Sequence, residues 1–195
     1  MIKVGITGGI GSGKTTVCKL FELLGIAVYY SDDEAKKILD YDSTVKSEML
    51  TLFGPTILNE FEQIDRKKIA SIVFSDTTKL ALLNSIVHPA VASHFEDWSK
   101  KQSSQYILKE AAILFESGAN KQVDKTIVVT APLQLKLSRV MARDKTSETE
   151  VLKRMANQLP DEEKIKLSDF VIQNNEENLL IPQVLLVHDQ LRKYF

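Results

Sequence analysis

Gly8-Gly9-Ile10-Gly11-Ser12-Gly13-Lys14-Thr15 is an unbroken G-x-x-x-x-G-K-[ST] run, and its setting decides the fold. Ahead of it, Ile2-Lys3-Val4-Gly5-Ile6-Thr7 reads as a short buried strand of a parallel sheet. Behind it, Val17, Leu20, Phe21 and Leu24 recur at helical spacing. A glycine-rich turn with a chance lysine would share the pattern, but the order strand, loop, helix argues for a phosphate-binding loop (P-loop). Glycines let the backbone turn successive N–H groups inward. Those donors and the positive end of the following helix hold phosphate oxygens. The expected phosphate contacts are Gly11, Ser12, Gly13, Lys14, Thr15 and Thr16. Lys14 reaches the β- and γ-phosphates, and the Thr15 hydroxyl is a natural Mg²⁺ ligand.

The chain has 195 residues, enough for one α/β domain with a core of its own. Its 25 Lys and Arg against 26 Asp and Glu argue against a dedicated nucleic-acid or polybasic membrane protein. Cys18, the single cysteine, excludes an internal disulfide and reads as a core residue of the first helix. No signal peptide or stretch of transmembrane length is visible. A soluble, cytoplasmic protein is expected, and the oligomeric state is left open.

Gly25 to Tyr30 reads as a helix stop and a second strand, and Ser31-Asp32 as an N-cap before the next helix. Ser43 to about Ser103 is mostly helical, punctuated by Gly54-Pro55 and His88-Pro89. Tyr106-Ile107-Leu108, Thr126 to Thr130 and Asp169 to Ile172 read as strands. Pro132–Arg143, Glu148–Gln158 and Asn178–Lys193 read as helices. Strands alternating with helices predict an α/β fold of the P-loop NTPase type, a parallel sheet flanked by helices. Its core is 1–31, 105–145 and 168–195. A helical substrate-binding insertion spans about 32–104 and a helical lid about 146–167. In such sheets ligands bind at the carboxyl ends of strands, where the insertion can close over a second substrate.

The loop alone implies nucleotide binding, not a reaction. Asn120-Lys121-Gln122-Val123-Asp124 carries its aspartate one position late for a guanine reader. Tyr106-Ile107-Leu108-Lys109-Glu110 is a weak match to the acid-ended strand of motor ATPases. A kinase fits better. Asp32 follows the second strand and is expected beside the P-loop strand, where a carboxylate can accept a hydroxyl proton or hold Mg²⁺ through water; capping a helix is its other reading. Arg139 and Arg143, an i, i+4 pair, can place cations over a transferring phosphoryl group, or can be ordinary solvated helix charge.

The chain resembles the dephospho-coenzyme A kinase family over nearly its whole length. The resemblance rests on the extended loop Ile6–Lys14, on Tyr30-Ser31-Asp32 where the family has D-x-D, and on Asp65-Arg66-Lys67-Lys68. Val73-Phe74-Ser75-Asp76, Ile86–Val91, Ile113–Gly118, Arg139–Asp144 and Gln158–Lys164 also carry it, as does Ser168–Asn174. It implies transfer of the γ-phosphoryl group of ATP, with Mg²⁺, to the ribose 3′-hydroxyl of dephospho-coenzyme A. Asp32 is implied as the base, and Lys14, Arg139 and Arg143 as catalytic cations. Tyr30 replaces the family's first aspartate, and no arginine stands near Pro160, which adds weight to Arg139, Arg143 and Arg154. The resemblance implies substrate contacts for Arg66, His88 and Glu116, a place behind Mg²⁺ for Glu110, and a place beside the adenine for Asn174 and Asn175, each against a structural alternative. A nucleoside or nucleotide kinase of the same fold, or a nucleotide-dependent binding switch, would share the loop.

Overall fold

A computed structural model describes residues 1–73 and 76–194; Phe74 and Ser75 of the Val73–Asp76 motif lie outside the described residues. Contacts divide the chain into two compact units, Met1–Tyr30 with Lys101–Phe195, and Ser31–Lys100.

The first unit holds five strands, β1 (Ile2–Thr7), β2 (Ala27–Tyr30), β3 (Tyr106–Glu110), β4 (Lys125–Thr130) and β5 (Phe170–Gln173). They pair in parallel in the order β2-β3-β1-β4-β5. Central strands of a parallel sheet are covered on both faces; every residue of β3 is buried, Lys109 and Glu110 included. Against one face lie α1 (Lys14–Leu23) and α9 (Leu180–Arg192). Val17, Cys18 and Phe21 of the former and Val184, Val187 and Leu191 of the latter join Val4, Ile6, Leu108, Ile127 and Ile172 in one core. The N–H groups of Gly25 and Ile26 bond to Glu22 and Phe21 carbonyls, closing α1 in a Schellman turn. The unit also contains α6 (Leu133–Asp144), α7 (Glu148–Met155) and α8 (Asp161–Leu167).

The second unit is helical: α2 (Ser31–Tyr41), α3 (Ser43–Phe53), α4 (Arg66–Val73) and α5 (Thr77–Ser99). α5 packs against the other three. It runs unbroken through His88-Pro89, where a break was expected. Pro89 removes one helical donor, but Val87, Val91 and Phe95 are buried on either side of it and hold the helix in place; Phe95 stacks on Trp98. The expected N-cap at Ser31-Asp32 is also corrected, because α2 already begins at Ser31. Asp32, Asp33 and Glu34 therefore occupy its first turn, where carboxylates meet the positive end of the helix. Among the described residues, no helix is long and apolar enough to cross a membrane.

Candidate active site

The loop between β1 and α1 is preformed. The Ser12 N–H donates to the Gly9 carbonyl (3.0 Å), closing the turn. Lys14, only 9% exposed, folds back so that Nζ donates to the Gly8 carbonyl (3.0 Å). Gly11 has φ 81°, and a Cβ there would lie 2.5 Å from the Lys136 carbonyl oxygen of α6. Only glycine lets loop and helix approach so closely. Ser12 is fully buried, and its hydroxyl has no hydrogen-bond partner among the described residues. Thr15 and Thr16 are exposed at the start of α1.

α6 and the α7–α8 segment wall the loop. Arg139 donates to the Gly11 carbonyl (3.5 Å), to the Asn174 carbonyl (3.3 Å from each Nη) and to Glu176 Oε1 (2.9 Å). Arg143 goes elsewhere. Its Nε and Nη2 grip Asp144 at 2.7 and 3.2 Å, and Arg154 joins the same carboxylate at 2.9 Å. The Arg143 hydrogen bonds, reinforced by Arg154, hold the Asp144 carboxyl below its usual range. Equal helical phase therefore does not bring both arginines to the loop, since the adjacent aspartate captures one.

Gln158 bridges two segments. Its Oε1 accepts from the Ile10 N–H (2.9 Å) and its Nε2 donates to the Ala112 carbonyl (3.2 Å). Lys136 pairs with Asp161 at 2.7 Å beside Gly9. Lys164, fully buried, meets Glu116 at 3.0 Å and also donates to the Ala112 carbonyl (3.2 Å). Glu116 in turn accepts the Leu159 N–H (2.8 Å). Removing one partner of a buried pair leaves an uncompensated charge, so Lys164→Met is expected to cost about 3 kcal/mol. That corresponds to a fall in melting temperature of roughly 6–12 °C for a chain of this length. A thermal melt of Lys164→Met beside the double variant Lys164→Met/Glu116→Gln checks this. The double variant recovers part of the loss if the stranded carboxylate is its cause; an unchanged melting temperature in the single variant refutes the assignment.

β2 does not pair with the P-loop strand, because β3 lies between them, and Glu110 at the carboxyl end of β3 is in register with both Ile6 and Tyr30. Glu110 is 7% exposed and is the sheet carboxylate in register with the loop strand. Asp32 is the second residue of the second unit, exposed, and its side chain has, among the described residues, no hydrogen-bonding or ion-pairing partner. Its neighbours are taken, Asp33 by Lys36 and Glu34 by Lys37, each at 2.7 Å. Arg66 does not pair with Asp65. It approaches Asp40 (3.7 Å), while Asp65 accepts N–H groups of Lys67 and Lys68 at the start of α4. Asp124 of the near-match to a guanine motif binds the Lys3 N–H (2.8 Å) at the amino end of β1, opposite the ligand edge.

A parallel sheet in this order, with a phosphate-gripping loop after its central strand, defines the P-loop kinase fold. A crystal structure from Thermus thermophilus superposes with a TM-score of 0.87 at 33% identity, covering 97% of this chain and 96% of that one. The dephospho-CoA kinase of Campylobacter jejuni gives 0.69 at 29% identity, with 98% and 97% covered. The dephospho-CoA kinase family model matches residues 2–179. The dephospho-CoA kinase of Bacteroides fragilis is 40% identical over 185 residues, 94% of this chain and 90% of that protein. The chain belongs to the dephospho-CoA kinase family.

Proposed function

We propose that the chain transfers the γ-phosphoryl group of ATP to the ribose 3′-hydroxyl of dephospho-coenzyme A, in the cytoplasm and without a nucleic-acid or membrane partner. The observation that carries this reading is the closed loop, with Lys14 already turned inward on the Gly8 carbonyl, in a chain of this family. When ATP arrives, Lys14 exchanges that carbonyl for β- and γ-phosphate oxygens. The loop N–H groups of Gly11, Ser12, Gly13, Thr15 and Thr16 bind the rest of the chain of phosphates.

The exposed Thr15 hydroxyl at the start of α1 fits a single protein ligand to Mg²⁺, the rest of whose shell phosphates and water would supply. The ion would neutralise charge on the phosphate oxygens. Asp32 takes the 3′-hydroxyl proton as the new O3′–P bond forms and the bond from the γ-phosphorus to the ADP oxygen breaks. Arg139 stabilises charge in transit, joined by Arg143 once it leaves Asp144. The segment 146–167 acts as the lid, excluding water that would compete as nucleophile.

The test is ADP release with ATP, Mg²⁺ and candidate acceptors. Equal amounts of ADP and coenzyme A from dephospho-coenzyme A are expected. ADP formed only with nucleosides would make the chain a nucleoside kinase, and slow hydrolysis indifferent to acceptor would make it a nucleotide switch.

A further inference from the structure

Asn174 stands immediately beyond β5, and its position is fixed from three sides. Its N–H donates to the Thr130 carbonyl (2.8 Å), and its own carbonyl accepts from both Nη atoms of Arg139 (3.3 Å each). Its side-chain Nδ2 donates to the Ser12 carbonyl at 2.8 Å. A carbonyl can only accept, so the amide must present its NH₂ there and its orientation is determined. The contact depends on the residue after Ser12 being glycine. Gly13 has φ 93°, and a Cβ on it would fall 2.1 Å from Asn174 Nδ2.

Ser12 C=O and Gly13 N–H belong to one trans peptide group, and across a trans bond the two dipoles are antiparallel. Holding the carbonyl on Asn174 therefore turns the Gly13 N–H the opposite way, away from β5. Without that anchor a glycine peptide can flip at little cost. We infer that Asn174 is a positioning residue for the phosphate cradle, holding the Ser12–Gly13 peptide with its N–H aimed at the nucleotide's phosphate chain. The inference rests on the ATP-binding reading above and goes beyond it, because it assigns Asn174 to the phosphates through the loop and not to the base.

Inorganic tripolyphosphate separates the two assignments, since it has phosphates and no base. Losing one N–H to anionic oxygen hydrogen bond corresponds to about a tenfold weakening. In Asn174→Ala, the KM for ATP and the inhibition constant of tripolyphosphate are both expected to rise by about that factor. A rise for ATP alone would assign Asn174 to the base and overturn the inference, and no rise in either would overturn it too. Should the variant not fold, the wild-type Gly13 amide resonance decides. It moves downfield on addition of tripolyphosphate if this N–H meets a phosphate, and a stationary resonance refutes the inference. Wild-type protein that bound neither ATP nor tripolyphosphate would instead bring down the nucleotide-binding reading itself.

Discussion

With Asp32 replaced by asparagine, kcat for dephospho-coenzyme A is expected to fall on the order of a hundredfold or more, the usual contribution of a positioned general base, while ATP affinity persists. Asparagine keeps the shape and the hydrogen-bonding reach of the side chain but cannot take up a proton from the attacking alcohol. Three acids share the first turn of α2, and they are not equivalent. Asp33 and Glu34 are dressed by Lys36 and Lys37, whereas Asp32 has no such partner among the described residues. Asp33→Asn is therefore the control, with turnover expected to stay near wild type, since an exposed i, i+3 pair contributes little. Steady-state kinetics with ATP titrated separately tells the roles apart. If Asp32→Asn lost ATP affinity and turned over normally once saturated, the residue would be a metal or structural group, and Glu110 would become the acid to test.

That fallback exists because of a feature the sequence did not disclose. The P-loop, its strand and helix, and the glycine stop at Gly25 were legible because each depends on residues within a few positions of one another. Strand order depends on how the chain crosses over, which no local pattern encodes. Nothing local announces that β3 stands between the first two strands and brings Glu110 into register with Ile6. The same holds for the walls of the loop. Gln158 meets Ile10 across 148 residues, and Asn174 meets Ser12 across 162. Each is an ordinary polar residue in a polar stretch, so only the resemblance of Gln158–Lys164 and Ser168–Asn174 to family patterns marked those stretches at all. Arg139 and Arg143 show the converse. Periodicity put them on one face, yet Asp144, one residue further on, draws Arg143 aside.

Lys14→Ala is expected to lower kcat/KM by about a hundredfold to a thousandfold, the range seen when a preorganised charge-stabilising donor is removed, and to weaken ATP binding in parallel. Both effects follow from where the ammonium lies. It is nearly buried at the loop, with Nζ on the Gly8 carbonyl, so it meets a phosphate without a mobile side chain first being gathered from water. The interaction strengthens as negative charge shifts toward the bridging oxygen during transfer, which separates it from uniform binding of the ground state. Lys14→Arg should not restore activity. A planar guanidinium is larger than the ammonium it replaces and presents a fork where a point charge fits, in a loop already pressed by Lys136 at Gly11 and by Asn174 at Gly13. Titration calorimetry with ATP and initial rates with dephospho-coenzyme A measure the two effects independently. Wild-type kinetics in Lys14→Ala would mean that this loop does not grip the reacting phosphates.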